Sequence, residues 1–259
     1  MSEEVLISKL VQAKEFYAVV DSSRKKYALP DALEACQKEH EAQFMPTIID
    51  TKINSPGEAR IWQVLWTTPS IRATGRTKQG NPVVVYAHIH SYFSNPKNIR
   101  IAIKQGLRIG AGKMPQLEFQ KLVDLDEATD EQGNRVVWVV DYDKLKNSAS
   151  GIMPLNTDSD LEQVLEHPQI IPFVGGKARA EDYLKKHKQV YGEQIGNWHS
   201  DDLADEPQGR ILLVGYNDYY SLVGDSSLYG IARFAGISRS VFGTSQKIIV
   251  PKQNISSST

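Results

Sequence analysis

The stretch from residue 71 to residue 90, IRATGRTKQGNPVVVYAHIH, decides the fold class. Ile71 to Arg76 alternates as a half-buried strand does. Lys78-Gln79-Gly80-Asn81-Pro82 supplies turn residues. Val83 to His90 is then a long strand, rich in β-branched side chains. Side chains alternate across a sheet. Val83, Val85, Ala87 and Ile89 therefore form one fully apolar face, and Val84, Tyr86, His88 and His90 form the other.

Downstream, the pattern predicts helices over Pro96–Gln105 and about Gln116–Val123, joined by a glycine-rich connector from Gly106 to Gly112. Residues 124–134 are acidic and polar, which reads as a surface loop. Val136 to Tyr142 is a second strong strand. A helix over Asp158–Glu166 ends at His167-Pro168. Ile170 to Val174 reads as a short strand, and Gly175-Gly176 turns into a helix from Ala178 to Tyr191. Arg210 to Tyr216 is an interior strand. Gly224, Gly230, Gly236 and Gly243 then punctuate either strands and turns or a broken helix, and Ile248–Val250 is a last strand.

Upstream, Ser2 caps a helix whose apolar face is Leu6, Leu10, Ala13, Tyr17 and Val20, and Arg24-Lys25-Lys26 ends it. Pro30 opens a second helix with the stripe Leu33, Cys36, His40 and Phe44, stopped by Pro46. Thr47-Ile48-Ile49 reads as a strand. Gly57 to Trp66 reads as a helix with Trp62 and Trp66 on one face. The sum is an α+β fold: a mixed or largely antiparallel sheet with flanking helices and an N-terminal helix pair. The expected organisation is one domain over residues 1–250, the helix pair of 1–45 packed on it, and a flexible tail over 251–259.

The chain has 259 residues, with 30 Lys and Arg against 31 Asp and Glu, a net charge of −1. That balance gives no global bias toward nucleic acid or anionic membrane, and it leaves self-association unopposed. Cys36 is the one cysteine, so no intramolecular disulfide forms. No apolar run is long enough to cross a membrane, and the acidic start lacks the features of a secretory leader. A cytoplasmic location is the expectation.

Polar residues at the strand ends carry the candidate chemistry. His88 and His90 point the same way from one strand, and Asp141 and Asp143 do so at the end of another. Trp198-His199-Ser200-Asp201-Asp202 adds further nitrogen and oxygen groups. If the strands are neighbours, His88, His90, Asp141, Asp143 and His199 would bind a divalent metal, the cofactor such a set would take, with Asp201 as base or further ligand. The plainer reading is a solvent-facing histidine pair and two capping aspartates.

Pro30-Asp31 followed by Asp50-Thr51-Lys52 imitates a Mg²⁺-dependent nuclease pattern, although Asp31 also fits helix-start chemistry. Gly110-Ala111-Gly112-Lys113 lacks the Ser or Thr of a phosphate loop, and no histidine follows His199 to serve Ser226 as a downstream base. Cys36 lies in an apolar stripe and reads as structural rather than nucleophilic. Three functions follow. The first is a non-catalytic binding or interaction protein that contacts an unknown partner through its aromatic, glycine-rich C-terminal region. The second is a metal-dependent hydrolase. The third is a nuclease using Asp31, Asp50 and Lys52.

Overall fold

The structure is a computed structural model that describes residues 13–18, 28–217, 219–230, 232–239 and 248–250. In chain order these form β1 (Lys14–Ala18), α1 (Ala28–Gln37), β2 (His40–Ala42), α2 (Met45–Asn54), α3 (Arg60–Gln63), β3 (Trp66–Arg76) and β4 (Pro82–Ala87). A 3-10 turn (Tyr92–Ser94), α4 (Pro96–Gln105), β5 (Gly112–Lys113), α5 (Gln116–Val123), β6 (Val137–Asp141), α6 (Tyr142–Lys146) and β7 (Gly151–Pro154) follow. The rest is α7 (Asp158–Glu166), α8 (Ile170–Val174), α9 (Lys177–Tyr191), β8 (Gln194–Trp198), β9 (Gln208–Asn217), β10 (Tyr219–Val223) and β11 (Ala232–Ser238).

The larger sheet runs β6-β4-β3-β9-β10-β8-β7, with β5 paired onto β9. Only β8 with β10 is parallel among the named pairs. A smaller antiparallel sheet runs β1-β11-β2. The fold is thus α+β with a mixed, largely antiparallel sheet.

Strand β4 does what its alternation dictates. Val83, Val85 and Ala87 pack with Ile71, Ala73, Phe93, Phe119 and Leu228 in one core. Val84 and Tyr86 pack with Trp62, Trp138, Phe173, Tyr183 and Leu212 in the other. One sheet therefore separates two hydrophobic layers, and a slip of one residue would exchange them, which pins the register.

Helix starts follow local chemistry. Asn95 accepts the Lys97 amide at 3.0 Å and Pro96 occupies the first turn of α4. Thr157 and Asp160 form a reciprocal capping box on α7.

The structure departs from the sequence pattern at several points. Tyr17 lies in strand β1, which pairs with β11, so the N-terminal helix pair does not form over residues 14–18. Its remaining residues 1–12 and 19–27 lie outside the described residues, as do Gly243 and the tail 251–259. The second helix stops at Gln37, and His40 belongs to strand β2. Pro46 does not stop a helix; it sits in the first turn of α2, which absorbs Thr47-Ile48-Ile49. Ile170–Val174 is helix rather than strand, entered from the turn at His167-Pro168 and closed by Gly175 at φ 87°. Gly57–Trp66 is helical only over α3. Trp62 stacks on Tyr183 while Trp66 belongs to β3, so the two indoles do not share a helix face. Ile249 makes an isolated bridge to Thr129 and no strand. Among the described residues no helix is long and apolar enough to cross a membrane.

Candidate functional site

Register places Arg72 of β3 directly opposite Arg210 of β9. Two like charges at a cross-strand pair repel, and both side chains are buried. The buried Asp202 resolves the conflict. Arg72 Nη1 donates to both its carboxylate oxygens at 3.1 Å, Arg210 Nε donates to Oδ2 at 2.8 Å, and Thr74 Oγ1 donates to Oδ1 at 2.9 Å. Burial opposes charge on Asp202, but the two guanidinium groups outweigh it and hold the carboxyl below its usual range. Burial likewise opposes charge on Arg72, and Asp202 together with Tyr86 more than restores it.

One carboxylate between two guanidinium groups leaves a net positive charge inside the protein. Loop carbonyls solvate it. Arg72 Nη2 donates to Ser200 O at 2.8 Å. Arg210 donates to Asp225 O at 2.8 Å, Ser226 O at 2.9 Å and Ile109 O at 2.7 Å. Charge-assisted bonds of this kind are about twice as strong as neutral ones. Three loops, around residues 109, 200 and 225, are thereby drawn to one buried cluster.

Two of these loops also touch each other. Arg108 and Ala111 exchange backbone hydrogen bonds at 2.9 Å, closing a two-residue turn. Its central residues both have positive φ, Ile109 at 50° and Gly110 at 86°, as a type I′ turn requires. The Gly110 carbonyl accepts the Leu228 amide at 3.0 Å, and a side chain at Gly110 would strike Ser227. Leu228 is buried, whereas Tyr229 is 48% exposed and Ile109 is 68% exposed. A β-branched residue in the left-handed region is strained by about 1–2 kcal/mol. Asn accepts that conformation, so Ile109→Asn is expected to raise stability by about 1 kcal/mol, read as a higher urea midpoint. An unchanged or lower midpoint would show that the turn carries no such strain.

The histidine and aspartate set does not assemble. Strand β4 ends at Ala87, the His88 amide still bonds Val136 O at 2.9 Å, and the chain bends at Ile89, which takes His90 off the sheet and away from His88. His88 is buried, with Nε2 donating to Pro172 O and Nδ1 beside Ser70 Oγ, both at 2.9 Å, which occupies both ring nitrogens. Burial pushes its pKa down to about 3. His90 is exposed and lies 2.8 Å from Glu41. Asp141 caps α6 by accepting the Lys144 amide at 2.7 Å, and Asp143 lies in that helix's first turn. Asp201 accepts from the Tyr142 hydroxyl and faces Lys146 at 3.5 Å, and the Tyr142 hydrogen bond holds its carboxyl low. His199 sits 3.3 Å from Ser148 Oγ, its ring beside His167. Among the described residues no group of three or more His, Cys, Asp or Glu side chains could hold a metal ion.

The nuclease pattern is dispersed too. Asp31 pairs with Arg100 at 2.8 Å, Asp50 pairs with Arg179 at 2.6 Å, and Lys52 points into the core. Cys36 is buried, and burial raises its thiol to about 12, as a structural cysteine requires. Ser226 Oγ donates to the Ile211 carbonyl and serves a turn.

The Arg72–Asp202–Arg210 cluster is not among the site residues expected from the sequence. A signal existed: Arg210 opens a run, Ile-Leu-Leu-Val, that reads as fully interior, and Arg72 stands between Ile71 and Ala73. Arginines within buried strands demand a partner.

No family model matches the chain, and no curated protein does. Among solved structures, one described as "Accommodation of massive sequence variation in Nanoarchaeota by the C-type lectin fold" superposes with a TM-score of 0.76. The match has 50% sequence identity and covers 87% of this chain and 97% of that one.

Proposed function

Because this chain belongs to the C-type lectin fold family of that neighbour, we propose that it is a non-catalytic binding protein whose recognition surface is the pair of loops gathered by Arg210. One observation carries the reading. Arg210 grips those loops through the carbonyls of Ile109, Asp225 and Ser226, groups that every residue possesses. Leu228 anchors the second loop in the core, which leaves Ile109 and Tyr229 facing outward. The shape of the surface is therefore set from beneath, and the outward side chains at 109 and 229 can differ without loss of shape, whereas Gly110 is held to glycine by Ser227. The neighbour's description speaks of massive sequence variation accommodated by its fold, and such a surface is suited to that.

An exposed isoleucine and an exposed tyrosine, on two loops joined by the Leu228–Gly110 hydrogen bond, suit a protein partner. Aromatic and aliphatic anchors carry most of the binding energy in protein interfaces, and preordered loops lose little entropy on docking. Among the described residues, the side chains of the metal-dependent hydrolase and nuclease readings lie apart, in separate ion pairs, helix caps and packed core.

The test uses a protein partner selected from a displayed library against the wild-type chain. The double variant Ile109→Ser/Tyr229→Ser is expected to weaken that binding by about a hundredfold, the scale of two interface anchors. Its thermal midpoint should stay within about 2 °C of wild type, since neither side chain supports the loop. Undiminished binding by a folded double variant would remove the reading. A collapsed midpoint would show that these side chains hold the fold instead.

A further inference from the structure

Away from that surface, α2, α3 and α9 enclose a cluster built around Lys52. This lysine is fully buried and belongs to α2. Its ammonium donates to Ile61 O at 2.7 Å and lies 4.7 Å from the centre of the Trp62 ring. No carboxylate pairs with it among the described residues. Trp62 stacks on Tyr183 and meets Tyr191 edge-on, with centroids 5.9 and 5.4 Å apart. The His187 ring lies against both tyrosines, at 5.6 and 5.0 Å. Four rings thus form a closed circuit beside one buried amine.

The hydrogen-bond inventory of this nest does not close on protein atoms. His187 Nε2 lies 3.1 Å from the Gln194 carbonyl, which can only accept, so that nitrogen carries the proton. Nδ1 is then a bare acceptor, buried and without a partner among the described residues. The Trp62 indole N–H is a buried donor in the same condition. Lys52 has further N–H groups beyond the one spent on Ile61. Two donors and an acceptor are thus left over within one cluster of side chains. Buried polar atoms rarely stay unmatched, because each orphan forfeits its hydration with no return.

We propose that the Lys52–Trp62–His187 nest is a binding site for internal water. Water is the smallest species that can accept from an indole or ammonium N–H and donate to an imidazole nitrogen. A halide could accept from both N–H groups but has nothing to donate to His187. Buried waters typically make about three hydrogen bonds, the number the three residues offer. Bound solvent also gives the unpaired ammonium the hydration that α2, α3 and α9 remove. Burial drives Lys52 down to about 7, and no other influence of consequence acts on it.

A crystal structure of the wild-type chain at about 1.8 Å resolution tests the proposal, because ordered buried water is visible there. The expected result is a density peak within about 3.2 Å of at least two of Lys52 Nζ, Trp62 Nε1 and His187 Nδ1. The same peak should bridge Trp62 and His187 in a Lys52→Met crystal, where no ammonium remains to recruit an anion. Crystals soaked in bromide should give no anomalous signal at the peak. Three results would overturn the assignment: no density within reach of these atoms, an anomalous peak that marks a halide, or rings turned so that protein groups satisfy both nitrogens.

Discussion

Asp202→Ala is expected to lower the stability of the protein by about 3–5 kcal/mol, enough to unfold it or bring it close to unfolding. The magnitude follows from what the change strands. Arg72 and Arg210 remain buried and opposite each other on adjacent strands, with no anion between them. Neither can shed its proton. Arg72→Met should be far milder, at about 1–3 kcal/mol, because Asp202 then keeps Arg210 and the interior becomes neutral.

The combined change Arg72→Met/Asp202→Leu/Arg210→Met should recover much of the loss, since buried ion clusters are often replaceable by apolar groups. It would still release the carbonyls of Ile109, Asp225 and Ser226. The recovered protein is therefore expected to be folded yet impaired in partner binding. Urea midpoints for the set decide the matter, and an Asp202→Ala midpoint equal to wild type would show that the cluster carries no such energy.

The second large effect is expected in acid. His88, His167 and His187 are buried, and burial holds them down to about 3, 4 and 4 respectively. Each is hydrogen-bonded as a neutral ring. His167 Nδ1 accepts from the Gln169 amide at 3.1 Å and lies 3.2 Å from Asn197 Nδ2, so a proton there would face two N–H donors. Unfolded, each imidazole titrates near 6.5.

Above that value both states are neutral and these groups leave stability unaffected by pH. Below it the unfolded chain takes up a proton the folded one refuses, and stability falls until the folded value is reached. At pH 4.5 the loss is about 2–3 kcal/mol per ring, or about 8 kcal/mol for three, comparable to the whole stability of a domain. Unfolding is thus expected near pH 5. His88→Gln should reduce the slope of stability against pH by one proton. Constant stability from pH 7 to 4.5, or a His88 resonance titrating near 6.5, would defeat this.

The contrast between what the sequence disclosed and what it hid is physical. The spans Pro96–Gln105, Gln116–Val123 and Asp158–Glu166 were readable to the residue, because proline, asparagine, threonine and acidic side chains act within a turn of where they stand. Strands β3 and β4 were readable because their turn is local and their alternation feeds two cores.

Ile170–Val174 and Thr47-Ile48-Ile49 were not. Short runs of apolar residues have no polar side to reveal a period, and both are deeply packed helical turns. Residues 14–18 carry a helical spacing locally, but the partner that makes them a strand lies more than 200 positions on, at 232–236. The buried cluster joins residues 72, 202 and 210, and the first is 130 positions from the second. No window along the chain holds both, so the carboxylate that matters looked like one more acidic letter beside Asp201.

Strand β9 lies at the middle of the larger sheet, yet it comes near the end of the chain. A ribosome makes β3 some 130 residues before the strand that must cover its open edge. Until then the nascent protein displays a ribbon with one unpaired backbone edge, a surface prone to join other chains. Fragments that stop short of residue 208 should therefore aggregate rather than fold, and recombinant yield should depend on chaperones that shield that ribbon during synthesis.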